Sequence, residues 1–151
     1  MTRLRSWLRW LTAAGLGIDV YVHWHLAPRF DTLKSSVSPP VSQGQLVRIE
    51  AVLALLAMVL VLLVRWRSAA AFASLVAAGG VVAVLLYRYV DVGSIGPLPD
   101  TYDPTWYAEK TLSAVAEAVA AVAALLYLFL RQPREARASS SGSLFPRGIS
   151  G

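Results

Sequence analysis

The chain has 151 residues, of which 56% are hydrophobic and 15% are charged, and its mean hydropathy is +0.55. Soluble domains carry about 25% charged residues, so this composition excludes a soluble enzyme domain and indicates a membrane protein. The chain contains no cysteine, which excludes a disulfide framework, a thiol nucleophile and cysteine-ligated metal centres. The net charge of +5 does not indicate nucleic-acid binding, because the basic residues lie at helix ends, where orientation in a bilayer explains them.

Four apolar stretches, each near the roughly 20 residues that cross a bilayer, predict an all-α integral membrane four-helix bundle over residues 1–131. The expected helices cover about 7–27, 46–66, 68–90 and 110–130. The first stretch follows a basic start, as a signal peptide does, but it contains Asp19, His23 and His25 and ends in His-Leu-Ala-Pro without a small-residue cleavage site. We therefore expect a retained helix that stops near Pro28.

The connections between the stretches differ in length. The second and third helices follow each other with almost no linker, which predicts an antiparallel hairpin. The segments 28–45 and 91–109 contain several prolines and few apolar residues, which is typical of solvated loops. Residues 132–151 are polar and rich in Ser and Gly, and we expect a disordered cytoplasmic tail there.

The distribution of Lys and Arg predicts the orientation. Nine basic residues lie on the side of the N-terminus, the turn at 65–67 and the tail, whereas five lie on the other side. Because the cytoplasmic side of a membrane protein carries the excess of Lys and Arg, both termini are expected in the cytoplasm of a multi-pass protein of the cell membrane.

Ionisable residues within the predicted spans are the candidates for a site. The candidate ligand-binding or proton-relay residues are Asp19, His23, Glu50, Arg88 and Glu117. Asp19 and Glu117 are each expected about 10–12 Å inward from the outer helix ends at 1.5 Å per residue, and the other three lie shallower. Charges in a bilayer are costly, so these side chains are expected to face the bundle and to satisfy one another.

Helical spacing refines this expectation. Asp19 and His23 lie four residues apart, so the imidazole can reach the carboxylate. Ser113 and Glu117 share a face of the last helix with Lys110. Arg88 is the only cation in the third helix near this depth, and we predict that it pairs with Glu117 or Asp19, because a guanidinium can satisfy two carboxylates.

The same residues permit other interpretations. Ion pairs that only fix helix packing would explain all of them. Asp19, His23, Glu50 and Glu117 could also supply mixed nitrogen and oxygen ligands for zinc or manganese. His23 and His25 point about 200° apart on a helix and cannot both bind one ion. Nothing in the sequence fixes the convergence of the four residues, so we assign no metal ligand. The adjacent Gly79 and Gly80 are interpreted as helix packing.

Part of the chain resembles a known class of membrane proteins. The segment 21–31 (YVHWHLAPRFD), Glu50 at the start of an apolar run, the RWR motif at 65–67 and the Ala-rich helix that follows resemble the DoxX-like small four-helix membrane proteins and uncharacterised actinobacterial integral membrane proteins. The resemblance covers about residues 10–90. It departs from the class after His23, where Trp24 and His25 replace the usual glycine. It implies the fold and, for His23 and Glu50, a link to quinone-coupled oxidation or to accessory roles beside oxidoreductases.

Three functions follow as hypotheses. The first is a small non-catalytic accessory or assembly subunit whose polar residues hold its own helices together and can also hold a lipid or quinone head group. The second is a component of a quinone-linked oxidoreductase, in which His23 bonds a quinone oxygen and Asp19 or Glu117 relays a proton. The third is a proton-coupled carrier with the same relay, although the expected broken helices are missing except at Gly79-Gly80. No redox centre is encoded, so we favour a non-enzyme whose partners are the lipid bilayer and an oxidoreductase complex or a second copy.

Overall fold

The computed structural model describes residues 2–34, 41–64 and 66–130. Four α-helices form this part of the chain: α1 (Thr2–Leu26), α2 (Gln43–Leu63), α3 (Arg67–Tyr89) and α4 (Ala108–Phe129). A short 3-10 helix, Ala27–Phe30, continues α1. The all-helical prediction is therefore confirmed, while Arg65 and the predicted tail at 132–151 lie outside the described residues.

Two helices begin earlier than their apolar runs. α1 starts at Thr2 because the basic residues that precede the apolar stretch have good helix propensity. α2 starts at Gln43 because Ser42 and Gln45 form a capping box: the Ser42 hydroxyl accepts the Gln45 N–H at 3.1 Å, and the Gln45 side chain accepts the Ser42 N–H at 2.9 Å. A search for apolar runs alone misses both the helix propensity of the basic residues and the capping box.

The helices form an up-and-down bundle in which each packs against the next in the chain and α1 packs against α4. Arginines tie one end together. The Arg9 guanidinium donates to the carbonyls of Val61 and Leu62 at 3.1 and 2.6 Å, and Arg67 donates to the Leu128 carbonyl at 3.1 Å. Cations at these positions satisfy helix-end carbonyls that have no intrahelical partner. We call this the terminus end, and the opposite end, with Leu26 and Gln43, the loop end.

Small residues fill the interior of the bundle. The buried core cluster comprises Leu16, Ala54, Ala57, Val61, Ala73, Ala77, Ala120 and Ala124. At Gly15 an added Cβ would lie 2.6 Å from the backbone oxygen of Ala116, so α1 and α4 approach each other to backbone contact. Interfaces built from Gly and Ala are typical of helices that pack in lipid, where close van der Waals contact replaces the hydrophobic effect.

Large apolar side chains point outward instead. Leu63, Leu75, Val82 and Phe129 are 62–77% exposed. α2, α3 and α4 are each long and apolar enough to cross a membrane; at 1.5 Å per residue they measure about 32–35 Å against a hydrocarbon core of about 30 Å.

The sequence predicts four spans, and three of the described helices meet this criterion. α1 is not among them, although it has 25 residues. The reason is its polar content: Arg9, Asp19, His23 and His25 lie within it and lower its hydropathy.

Candidate functional site

All four helices meet at one level near the loop end. Asp19 and Glu50 each lie seven residues from the helix ends at Leu26 and Gln43, and Gly80 and Glu117 lie nine residues from the ends at Tyr89 and Ala108. The polar side chains at this level are Asp19, His23, Glu50, Ser113 and Glu117, which we call the polar cluster. Four of the five predicted site residues therefore belong to one cluster.

Asp19 accepts the shortest contacts in the cluster. The Nδ1 atom of His23 lies 2.7 Å from the Asp19 Oδ1 atom, as the four-residue spacing predicts. The Ser113 hydroxyl donates to the same oxygen at 2.6 Å and lies 3.4 Å from Oε1 of Glu117. Ser113 thus links the carboxylates of α1 and α4, which is consistent with the predicted equal depth of Asp19 and Glu117.

His23 connects two carboxylates of different helices. While its Nδ1 atom faces Asp19, its Nε2 atom lies 3.4 Å from Oε2 of Glu50 on α2. The His23 and Glu50 side chains are 12% and 30% exposed, whereas the residues Asp19 and Glu117 are 2% and 1% exposed. The cluster therefore runs from a dry interior to a partly exposed edge.

Gly80 provides the space in which two of these carboxylates lie. An added Cβ at Gly80 would lie 2.6 Å from Oε1 of Glu117 and 2.6 Å from Oε1 of Glu50. An added Cβ at Gly79 would meet nothing within 4 Å. The sequence prediction assigned both glycines to helix packing and missed this role; the signal was a glycine on α3 at the same depth as the acids of the other helices.

One oxygen of the cluster has no partner. Oε2 of Glu117 is buried and makes no hydrogen bond within the part of the chain that the structure describes. A buried carboxylate oxygen without a partner is costly and is commonly explained by a proton, an ion or a water.

Arg88 does not belong to the cluster, and its predicted pairing with Glu117 or Asp19 was wrong. It lies in the last turn of α3, eight residues or about 12 Å beyond Gly80. Its guanidinium lies 5.1 Å from the ring centroid of Tyr89 and 5.9 Å from that of Trp106. It makes no ion pair with any described residue, and its Nε atom is buried without a hydrogen-bond partner among them.

A partly open cavity of about 250 Å³ extends from the polar cluster to the loop end. Its lining includes His23, Glu50 and Ser113 at the cluster, and Thr101, Asp103 and Lys110 nearer the loop. Apolar side chains from three helices form much of the wall: Val22, Leu26, Leu46, Val47, Ala83 and Val84. Phe30, Gln43, Tyr87 and Tyr107 complete it. The cavity thus combines apolar walls with a few polar groups, which is the usual composition of a small-molecule site.

Ionic contacts hold the loops around this cavity. Lys110 pairs with Asp103 at 3.2 Å and donates to its carbonyl at 2.7 Å. Partial burial raises the pKa of Asp103, but the hydroxyl and N–H of Thr105 together with Lys110 outweigh it and hold that pKa below its ordinary value. The first loop is held by Arg48, which donates two hydrogen bonds of 2.6 and 2.8 Å to Asp31; these bonds lower the pKa of Asp31.

Chemically, the cluster can do three things. Its carboxylates can accept hydrogen bonds or bind a cation. The imidazole of His23 can transfer a proton between Asp19 and Glu50, because each of its nitrogens faces one of them. The cavity gives a small molecule access to His23, Glu50 and Ser113.

Comparisons with family models, with curated proteins and with solved structures gave no match to this chain. The resemblance to DoxX-like proteins stays a prediction.

Proposed function

We propose that the chain is a small non-catalytic protein of the cell membrane, with four spanning helices and both termini in the cytoplasm, that binds the head group of a quinone or lipid in the cavity above its polar cluster. As in the first sequence hypothesis, it serves as an accessory or assembly subunit, beside an oxidoreductase complex or a second copy of itself.

The outward surface supports insertion of the whole bundle. Exposed aromatic residues lie in two groups, one at each end: Trp7, Trp10, Trp66 and Phe129 at the terminus end, and Tyr21, Trp24, Tyr89, Tyr102 and Trp106 at the loop end. Trp and Tyr prefer the two interfaces of a bilayer, so the two groups mark the boundaries of an apolar band.

α1 is included as the fourth span because of how its side chains are distributed. Between Trp7 and Trp24 its exposed residues are apolar or aromatic, with Leu11 and Ile18 47% and 41% exposed between the two aromatic groups. Its charged Asp19 is buried against α4, and Arg9 bonds the end of α2. Hydropathy averages both faces of a helix, whereas lipid contacts only the outer one.

The cavity is the single observation that carries the proposal. Its volume of about 250 Å³ is below the roughly 300–1,000 Å³ of sites for drug-sized ligands, so it fits a compact head group rather than a large soluble substrate. Its apolar walls suit the first part of an attached chain. His23 and Lys110 offer hydrogen-bond donors to carbonyl or phosphate oxygens, and Glu50 offers an acceptor.

One observation favours a second candidate, the quinone-linked oxidoreductase component. A quinone that accepts electrons from a partner must also take up protons, and His23 lies between the carboxylates of Asp19 and Glu50. In this version His23 bonds the quinone oxygen at the cavity, while Asp19 and Glu117 supply the proton from below.

The test is ligand binding to the protein in nanodiscs. Extraction with organic solvent followed by mass spectrometry identifies what co-purifies, and separates a quinone from a phospholipid. Titration with a quinone that carries a short alkyl chain then gives a Kd. We expect saturable binding of one head group per chain.

Two valines of α3 provide the variant and its matched control. Val84 lines the cavity, so Val84→Phe should fill it and weaken binding at least tenfold. Val82 is 62% exposed, so Val82→Phe should leave the Kd unchanged. Absence of saturable binding to either head group, or equal weakening by both variants, would refute the proposal.

A further inference from the structure

We propose that Asp19, His23 and Glu117 bind a divalent metal ion of the class that accepts mixed nitrogen and oxygen ligands, Zn²⁺ or Mn²⁺. This site adjoins the cavity, which His23 also lines, and it does not depend on the head-group proposal. One ligand atom from each of the three residues lies within 4.8 Å of the other two. Donor atoms about 2.1 Å from a common ion lie at most about 4.2 Å apart, and about 3.4 Å apart in a tetrahedral site, so the site closes with shifts of about an ångström.

The unpartnered oxygen of Glu117 points to a ligand. Oε2 is buried and without a hydrogen bond among the described residues, in a residue that is 1% exposed. Its other oxygen faces Ser113 at 3.4 Å. An ion between Glu117 and Asp19 would give this oxygen a partner.

The surroundings of His23 match those of a metal-binding histidine. Such a histidine binds the ion through one ring nitrogen and donates the other N–H to a carboxylate, which fixes the tautomer and raises the basicity of the ligand. Here Nε2 faces Glu50 at 3.4 Å, while Nδ1 lies 2.7 Å from Oδ1 of Asp19 and 3.1 Å from its carbonyl oxygen, two contacts that an ion between His23 and Asp19 would replace. Glu50 therefore takes the orienting role, outside the three ligands.

The charge balance also favours a cation. Asp19 and Glu117 are two nearly inaccessible carboxylates. Among the described residues, His23 is the one basic group that pairs with either of them, since Lys110 pairs with Asp103 and Arg88 lies against aromatic rings. A divalent ion with a neutral imidazole neutralises both carboxylates. Ser113, whose hydroxyl lies within 3.4 Å of all three ligand residues, supplies a further oxygen.

Metal binding is measured on the full chain in detergent after treatment with a chelator. Calorimetric titration with Zn²⁺ alone should show one ion per chain. Pulsed electron paramagnetic resonance with Mn²⁺ alone should show coupling to one imidazole nitrogen. The second measurement needs no variant, so it remains decisive if a substitution prevents folding.

Each ligand variant has a matched control on the same helix. His23→Gln and Glu117→Gln should weaken Zn²⁺ binding at least tenfold, whereas His25→Gln and Glu109→Gln should leave it within about twofold, because His25 stacks on Tyr21 and Glu109 contacts Arg29. Glu50→Gln should weaken binding about 10- to 100-fold, as for other orienting carboxylates.

Two outcomes overturn the proposal: no saturable uptake of either ion by the wild-type chain, which would leave a proton on Glu117 as the explanation, or equal effects in the ligand and control variants. Val84→Phe separates this proposal from the head-group site. It should weaken head-group binding at least tenfold and leave the Zn²⁺ affinity unchanged, so either proposal can fail without the other.

Discussion

Two adjacent glycines of α3 have opposite surroundings, and this difference gives a test at the scale of single residues. Gly80 faces the carboxylates of Glu50 and Glu117, where a Cβ would come within 2.6 Å, whereas Gly79 faces open space. Gly80→Ala should destabilise the protein by about 1–3 kcal/mol, because overpacking displaces a buried group. Glu117 is 1% exposed and has little room to move away.

The measurement is thermal unfolding in detergent followed by circular dichroism. Gly79→Ala is the control: it adds the same methyl group to the same turn and should leave the melting temperature unchanged or raise it, since alanine favours helix. If Gly80→Ala melted at the same temperature as Gly79→Ala, the carboxylates would not occupy the space beside Gly80.

A second residue-scale prediction concerns pH and the loop between α3 and α4. The pKa of Asp103 is lowered in the folded protein, so protonation favours the unfolded state. The stabilisation by Asp103 is complete above its unfolded value of about 4 and is lost as the pH falls through the lower folded value. The melting temperature of Asp103→Asn should lie below that of the wild type at pH 6 and should approach it at pH 3.

Asp100 provides the comparison for this experiment. It lies in the same loop, accepts a backbone N–H from Tyr102 at 2.9 Å and makes no ion pair with the described residues. Asn keeps an oxygen that can accept this hydrogen bond. The melting temperature of Asp100→Asn should therefore change with pH as that of the wild type does. If the melting temperature of Asp103→Asn changed with pH as that of the wild type does, the pair with Lys110 would contribute nothing to stability.

How far single residues could be predicted depends on whether their partner is local. The contact of Asp19 with His23 follows from a four-residue spacing within one helix, and the structure has it at 2.7 Å. The predicted pairing of Arg88 was wrong because the prediction assumed both the depth and the direction of a side chain in the last turn of α3. Gly80 was missed because a glycine gives no sign in the sequence of what occupies the space beside it.

At the scale of helices, the contact between α1 and α4 depends on Gly15. A Cβ at this position would meet the backbone oxygen of Ala116 at 2.6 Å and the Cβ of Ala120 at 2.9 Å. Backbone cannot move away as a side-chain tip can, so Gly15→Ala must push the two helices apart. The same interface holds Asp19 against Ser113, and its opening should weaken the polar cluster as well.

Gly17 gives the matched variant on the same helix. Its added Cβ would meet only the sulfur of Met58 at 3.4 Å, an ordinary contact with a flexible side chain. We expect Gly15→Ala to lower the melting temperature by several degrees, in line with a cost of about 1–3 kcal/mol, and Gly17→Ala to change it little. Equal melting temperatures would contradict the backbone contact.

The number of helices could be predicted because long apolar runs are a strong signal, but their starts could not. α1 and α2 begin where helix propensity and a capping box allow, before the apolar residues begin. The short connection between α2 and α3 predicts that these two helices are antiparallel neighbours, whereas the long segments on either side of this pair do not fix the neighbours of α1 and α4. The small-residue contacts that set the helix spacing require knowledge of which faces meet, and a single sequence does not contain it.

At the scale of the whole molecule, the remaining question is which side of the membrane each end faces. The chain contains no cysteine, so single introduced cysteines report their location without background labelling. Ser68 and Ser94 lie near the two ends of α3, and Ser6 and Thr32 lie near the two ends of α1; all four are exposed. An impermeant maleimide added to intact cells labels only the outer side.

We expect Ser94→Cys and Thr32→Cys to react in intact cells, and Ser68→Cys and Ser6→Cys to react only after permeabilisation, because the terminus end carries the excess of arginine and should face the cytoplasm. The wild-type chain, which contains no cysteine, is the negative control for labelling. The α1 pair decides whether the most polar helix spans the membrane: reaction of Ser6→Cys and Thr32→Cys from the same side would leave α1 outside the bilayer. A fully reversed pattern would keep four spans and invert the orientation, so that the cavity and the polar cluster would open to the cytoplasm.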